Sequence, residues 1–545
     1  MSSKLKIANI GISLCILTAF ICASMSPAVA QPWTTPEIVW QHAYGGTAKD
    51  AVKKIHLTSD GGFIMVGNTA SNDGDVTVNN GLSDVWVIKT DSAGMIQWQK
   101  TYGGSAADSG VTIQQTIDGG YIVGALTYSN DSGITGNHGN SDYWIFQIDS
   151  VGTTQWSYLY GGSMYDDLES VKQTADSGFV VIGSSNSTDF DVSGNHGLYD
   201  IWVLRLNKTG GIKWEKCYGG TADDYAGDVV QAIGGDYTIA GYSASNDSDL
   251  TGNFGGFDYW ILKVDAPSDT IIWQINLGGT YDEVAYSIVQ NAGQGYVIVG
   301  GSNSNDSGLV SSHTGGVGPT GNYDIWVVKL TNTGGKDWEN SFGGGKNDLG
   351  YNVFQASVDS SYTIICRSNS PMVNLHPTKG KTDLYVINVN RHGNIEWGRA
   401  YGGSEDDFGN GIGLLPNEEI IAAGGTFSND SDVTGNHGMC DAWALKLGTA
   451  INLSIVDYTP YNNGIVGVYP NPFSTTANLV INTESLNGKK NILNIYNMQG
   501  EVVKSYETGN RTAITLDKSY FTSGMFYYRL ESDGKVVSTG KLIAQ

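Results

Sequence analysis

EIVWQHAYGG, residues 37–46, matches MIQWQKTYGG, residues 95–104, almost position by position, and where that first copy belongs decides the fold. The tripeptide YGG or a variant begins at Tyr44, Tyr102, Tyr160, Tyr218, Leu277, Phe342 and Tyr401, at intervals of 58, 58, 58, 59, 65 and 59 residues. Seven units follow one another, and repetition at such a period is the signature of a repeat architecture. The unit from Tyr102 contains four short runs of alternating or β-branched character, VTIQQT, GYIVGALT, DYWIFQID and TTQWSYL, separated by turn signals. No unit carries a helical period. Four strands in about 58 residues predict a propeller blade rather than a solenoid coil.

The last unit runs through DAWALKLG, residues 441–448, and then lacks its fourth strand with the Trp. Residues 37–46 supply that strand, which ties the two ends and leaves no free edge. The expected fold is therefore all-β: a seven-bladed β-propeller over 31–448, closed by an N-terminal strand, then a linker over 449–465 and a small β-sandwich over 466–545.

Thirteen of fourteen tryptophans occupy two repeat positions. Trp40, Trp98, Trp156, Trp214, Trp273, Trp338 and Trp397 fall on the fourth strand, and Trp86, Trp144, Trp202, Trp260, Trp326 and Trp443 on the third. Large rings at one place in each blade fill the wedge between sheets.

Three positions of the unit are persistently acidic. The first follows YGG: Asp50, Asp108, Asp166, Asp224, Glu283, Asp348 and Asp407. The second lies in the long loop: Asp73, Asp131, Asp189, Asp247, Asp306 and Asp430. The third precedes the third-strand Trp or Tyr: Asp84, Asp142, Asp200, Asp258, Asp324, Asp383 and Asp441. In a four-stranded meander all three sets emerge at one end of the sheet, and the first is expected to ring the mouth of the central channel. Calcium, which takes six to eight oxygens, is a candidate cofactor for such a face. Its candidate ligands are Asp247, Asp249, Asn253 and Asp258 in blade four and Asp430, Asp432, Asn436 and Asp441 in blade seven. The spacing departs from the D-x-D-x-D-G of calcium-loop propellers, and recurring Ser-Asn-Asp and Gly-Asn pieces serve equally as Asx-turns.

His138, His196 and His437 sit one per distant blade and cannot converge on zinc. Acids recur around the ring with no pair singled out for glycoside hydrolysis, and no nucleophile elbow, zincin or phosphate-loop pattern occurs. Only PMVNLHPTKGK, residues 371–381, and SSHTGGVGPTGNYD, residues 311–324, break the regularity, so a singular site is expected there.

The N-terminus reads as a signal peptide: Lys4 and Lys6, an apolar run over about 10–21, and Ala28-Val29-Ala30 as a cleavage triplet over residues 1–30. Without those two lysines, 28 Lys and Arg face 54 Asp and Glu, a formal charge of −26. That surface repels phosphate backbones, so no nucleic-acid partner is expected. No later segment is apolar enough to span a membrane. Cys217, Cys366 and Cys440 have no metal spacing and are expected as small core residues, although one disulfide stays open.

The tail changes character. YPNPF (469–473), LNIYNMQGEVV (493–503), SGMFYYRL (523–530) and GKVVSTGKLIAQ (534–545) resemble the C-terminal sorting domain of type IX secretion substrates. The resemblance implies a Bacteroidetes-type host and passage across the outer membrane to a secreted or cell-surface fate. It also implies the type IX machinery and a sortase-like protease as partners. Two functional expectations follow: a non-enzymatic binding, adhesion or structural propeller with a glycan or protein ligand, or an extracellular polysaccharide-degrading enzyme on the acidic face.

Overall fold

The computed structural model describes residues 35–448, apart from 307–320, 357–359, 371–376 and 416–418, and residues 465–544 with short gaps at 470–472, 482–489, 498–501, 510 and 534. The signal peptide, the linker and most of the two irregular loops lie outside the described residues. The chain divides into two compact units, Met1–Ala450 and Ile451–Gln545.

Unit one consists of seven four-stranded antiparallel sheets, each a simple meander except one. In that seventh sheet the strands Asp407–Leu414, Ile420–Thr426 and Asp441–Gly448 are completed by Glu37–Tyr44, which pairs antiparallel with Asp441–Gly448 from Glu37↔Gly448 to Tyr44↔Ala442. The repeat offset read from YGG is thus a strand exchange between the two ends of the unit. Blade seven also shares a buried core with blade one: Ile421, Ala423, Ala442 and Ala444 pack with Val52, Ile55, Met65 and Trp86.

Burial explains the sequence pattern. The second strand of each blade lies between neighbours on both faces and reads as a continuous apolar run, such as Phe179–Ser185 (FVVIGSS), buried throughout. The third-strand tryptophans fill the wedges: Trp202, Trp260, Trp326 and Trp443 are fully enclosed. Removing such a ring from water contributes roughly 4–6 kcal/mol before entropic cost.

The fourth-strand tryptophans are only half buried and act as clamps. Trp98 lies over Gly152 of the next blade, whose φ of +80° suits glycine and where a Cβ would meet the indole 3.1 Å away. Its Nε1 donates to Ser150 O at 3.2 Å.

Unit two holds a three-stranded sheet (Ile465–Tyr469, Thr476–Ile481, Ala513–Asp517) and a four-stranded sheet (Val502–Glu507, Asn491–Tyr496, Gly524–Ser532, Lys535–Ala544). Leu479, Ile481, Ile514 and Leu516 of the first share one core with Leu493, Ile495, Phe526 and Leu530 of the second, the expected sandwich.

Candidate functional site

The innermost strands are Asp50–Leu57, Asp108–Gln115, Asp166–Gln173, Asp224–Gln231, Glu283–Gln290, Asp348–Gln355 and Asp407–Leu414. Each opens on a first-set acid, and that acid is buried, not exposed at the channel mouth as the sequence suggested. Asp50 shows why: it accepts hydrogen bonds from Gly46 N at 2.8 Å, Ser71 Oγ at 2.7 Å and Thr69 Oγ1. It fastens the YGG turn to the end of the second strand. The same donors recur in later blades, as at Asp224 with Gly220, Ser243 and Ser245.

Strand register places the third set at the same sheet end: Asp50 pairs with Thr69, and Thr69 with Asp84. Across each junction one third-set carboxylate meets a first-set carboxylate over the first glycine of YGG. A Cβ at Gly161 would lie 2.6 Å from Asp142 Oδ1 and 2.7 Å from Asp166 Oδ2. The Oδ1 atoms of Asp84, Asp142, Asp200, Asp258, Asp383 and Asp441 are buried without a hydrogen-bond donor. Burial pushes Asp166, Asp224, Asp348 and Asp383 up to about 6, and Asp258 and Glu283 up to about 7. A facing carboxylate adds to the rise in each pair, except at Glu283, where Asp282 is the charge that adds.

The candidate ligands of blades four and seven already carry hydrogen bonds within the protein. Asp247 accepts from Thr221 N at 2.8 Å and Thr221 Oγ1 at 2.7 Å, and Asp249 from Gly219 N at 3.3 Å. Asn253 Oδ1 accepts from Gly255 N at 2.8 Å while its Nδ2 donates to Ser243 O at 2.9 Å, and Asp258 accepts from Phe254 N at 2.5 Å. In blade seven Asp430 holds Ser404 N at 2.8 Å and Asp432 holds Gly402 N at 3.3 Å and Lys379 Nζ. Asn436 spans Gly438 N and Thr426 O, and Asp441 takes both His437 N and His437 Nδ1. Each of these side chains is engaged by a partner within the protein, and among the described residues no three His, Cys, Asp or Glu form a cluster that could hold a metal ion. Asn253 and Asn436 make the local bonds of Asx-turns, whereas Asp247, Asp249, Asp430 and Asp432 tie the long loop to the YGG turn of the same unit.

His138 and His196 likewise cap Asp142 and Asp200 through Nδ1, at 3.0 and 2.7 Å. Cys217, Cys366 and Cys440 are buried and free.

A different feature breaks the symmetry. Every innermost strand carries a register shift at its fourth residue, so that one residue has no partner on the second strand: Val52 faces Gly67 and Lys54 faces Val66, with Lys53 between them. Such a bulge re-aims a side chain. The seven bulge residues are Lys53, Val111, Glu169, Gly227, Tyr286, Tyr351 and Asn410, and all of them line one central cavity of about 400 Å³. The frame is repeated seven times while this position differs almost every time.

The cavity has two sides. Blades five and six supply an aromatic arc: Tyr286 stacks on Tyr351 at 5.1 Å and 16°, and Tyr242, outside the lining, meets Tyr286 edge-on at 6.4 Å. The Arg367 guanidinium continues the arc between the rings of Tyr351, at 4.4 Å, and Phe408, at 4.8 Å, and is held by Asn410 Oδ1. Asn410 in turn donates to Val52 O of blade one at 2.9 Å.

Blades one, three and four supply the charges. Asp228 accepts from Ser170 Oγ at 2.8 Å and pairs with Lys172 at 3.4 Å. Burial would raise its carboxyl, but Lys172, Lys54 and Ser170 outweigh that and hold it below its ordinary value. Withdrawal from bulk water pushes the Glu169 carboxyl up to about 7 against the opposing Lys53. The same withdrawal, reinforced by Lys172, brings the Lys54 ammonium down to about 8, and with Lys172 and Lys54 together it brings His56 down to about 4.

Residues 467–545 match the family described as "Secretion system C-terminal sorting domain". The C-terminal unit is a type IX sorting domain. This sorting domain directs the chain to the cell surface or the extracellular space through the type IX machinery. Among the described residues no helix is long and apolar enough to cross a membrane.

The propeller is less closely matched. No curated protein matches the chain. Among solved structures it is similar to the plexin A4 extracellular region (6% identity, TM-score 0.44, covering 92% of this chain and 67% of that one). It is also similar to a fungal alcohol oxidase of the AA5 family in complex with copper (11%, 0.39, 94% and 100%) and to BBS1N in complex with ARL6DN (10%, 0.40, 76% and 97%). Likeness at these scores says nothing of this chain's activity.

Proposed function

We propose that this exported protein is a non-enzymatic binding propeller whose ligand enters the central channel. The observation that supports this is the bulge tier: one residue per blade is aimed inward, and its identity varies while the frame around it is kept. A cavity of about 400 Å³ with an aromatic wall and a few convergent polar groups has the size and character of a ligand site. A purely structural coat would have no use for six individually chosen inward side chains and one glycine.

One observation favours an enzyme. Glu169 is pushed up to about 7 while Asp228 is held low, the kind of split that assigns acid and base in glycoside hydrolysis. Against it, Asp228 spends its oxygens on Ser170, Ser287 and Lys172 and leaves little free to meet a sugar. A glycan and protein array probed with the full-length chain and with Tyr286→Ala tests the binding reading, which expects ligands retained intact and lost in the variant. Release of new reducing ends from a retained oligosaccharide, abolished by Glu169→Gln, would replace it with the hydrolase.

A further inference from the structure

Resting on the channel as binding site, we infer that its ligand is a short peptide with both ends free, its carboxylate held by Lys53 of blade one, its ammonium by Glu169 of blade three and its body lying along Val111 of blade two.

The charges that line the cavity balance in number: Lys53, Lys54 and Arg367 face Asp167, Glu169 and Asp228. Most of them are engaged within the protein. Lys172 pairs with Asp228 at 3.4 Å, Ser170 donates to it at 2.8 Å, and Lys54 lies in the field of the same carboxylate. Arg367 is held by Asn410 between the rings of Tyr351 and Phe408, and Asp167 accepts from Ser141 Oγ at 3.4 Å. Lys53 and Glu169 remain. Both are bulge residues turned into the channel at one tier, both are exposed there, and among the described residues neither makes an ion pair or a side-chain hydrogen bond. Between them stands Val111, the bulge residue of blade two, which with Leu126 forms a half-buried aliphatic strip over the core beneath. Three successive blades therefore read cation, aliphatic and anion around one wall.

That order selects the ligand. An anion alone leaves Glu169 against it, a cation alone leaves Lys53 against it, and an apolar guest answers neither. A zwitterion with an aliphatic middle meets all three. Its charges have to span the sector of one blade, which a single amino acid, with both groups on one carbon, does not do; an extended peptide adds about 3.5 Å per residue, so a chain of about two to four residues suits the task. The opposite wall supplies a complement to the peptide bond. Asn352 of blade six is buried and lines the cavity, and its side-chain amide has no hydrogen-bond partner among the described residues. A carboxamide offers both donors and an acceptor, the complement of a backbone amide, and such a group is costly to leave unanswered in an interior.

Isothermal titration of the full-length chain at neutral pH with trialanine, its N-acetyl form and its C-terminal amide tests the two ends separately. The inference expects trialanine to bind at least about tenfold more tightly than either blocked form. Lys53→Gln should erase the preference over the amide and keep that over the N-acetyl form, Glu169→Gln should do the converse, and Lys53→Arg and Glu169→Asp should keep both. The two glutamine variants are expected to melt as the parent does, and the blocked peptides test the parent chain however the variants fold. Equal binding of the three peptides, or a preference that neither glutamine variant alters, would overturn the peptide assignment. So would binding of none of them; array ligands lost in Tyr286→Ala would then leave the channel standing, and array ligands indifferent to Tyr286→Ala would overturn the channel as well.

Discussion

Trp443 Nε1 donates a hydrogen bond to Gln41 Oε1 at 2.8 Å, joining residues 402 apart in the chain. The contact is the same one that Trp86 makes with Gln99 and Trp202 with Glu215 inside single blades, so the first strand is chemically a fourth strand of blade seven. Gln41→Ala leaves a buried indole N–H without its acceptor and is expected to cost about 1–2 kcal/mol in urea unfolding. Removing 37–44 strips the partner from the whole strand Asp441–Gly448 and is expected to produce association through that open edge, read by light scattering. A monomeric truncated chain with unchanged stability would contradict the strand exchange.

The facing carboxylates at the blade junctions make a pH prediction. Their folded values, about 6 to 7, lie above the ~4 of an unfolded carboxyl. Between those limits the folded state holds more protons than the unfolded one, so stability falls as pH rises through that window and levels off above it. The melting temperature at pH ~5.5 should exceed that at pH ~8 by about 3 °C or more. Asp258→Asn gives the orphaned oxygen's position an N–H that can donate to Glu283, so it should raise the melting temperature at the higher pH and flatten the profile. Stability that rises over this range would show that the pairs are not proton-sharing.

Calcium removal is expected to do nothing. Asp247, Asp249, Asp430 and Asp432 already hold backbone amides of their own blades. Melting in excess chelator should match melting in millimolar calcium within error, and a drop of several degrees would restore the cation to those loops.

Deleting 467–545 should leave the propeller folded and trapped in the periplasm, because the sorting domain carries the export signal. Cell fractionation with an antibody to the propeller reads this directly; undiminished appearance outside the cell would deny the tail that role.

Much of the frame was legible because it is periodic. YGG, the paired tryptophan columns and the early copy EIVWQHAYGG fixed blade number, strand count and the exchanged strand, since seven copies average out local irregularity. The acids misled for the same reason: repetition made Asp50 and its equivalents look like a charged rim, whereas Thr69 and Ser71 hydroxyls and the Gly46 amide draw them into the interior.

The site was hidden in the opposite signal. Four residues into each innermost strand the units read Lys, Val, Glu, Gly, Tyr, Tyr and Asn, a divergent column inside a constant one. Strand alternation alone assigns that column a face, and only the bulge turns it toward the channel. Arg367, one residue from the end of its strand, gave no signal of its own, because its partners Tyr351, Phe408 and Asn410 come from two different units.

Hydroxyl-radical footprinting of the full-length chain, with and without a saturating ligand retained from the glycan and protein array, tests the channel most directly. Ligand in the channel should protect Tyr286 and Tyr351 and leave Phe190 and Phe254, exposed on the outer loops, unaltered. Protection of Phe190 or Phe254 with Tyr286 and Tyr351 unchanged would place recognition on the loops and contradict the account.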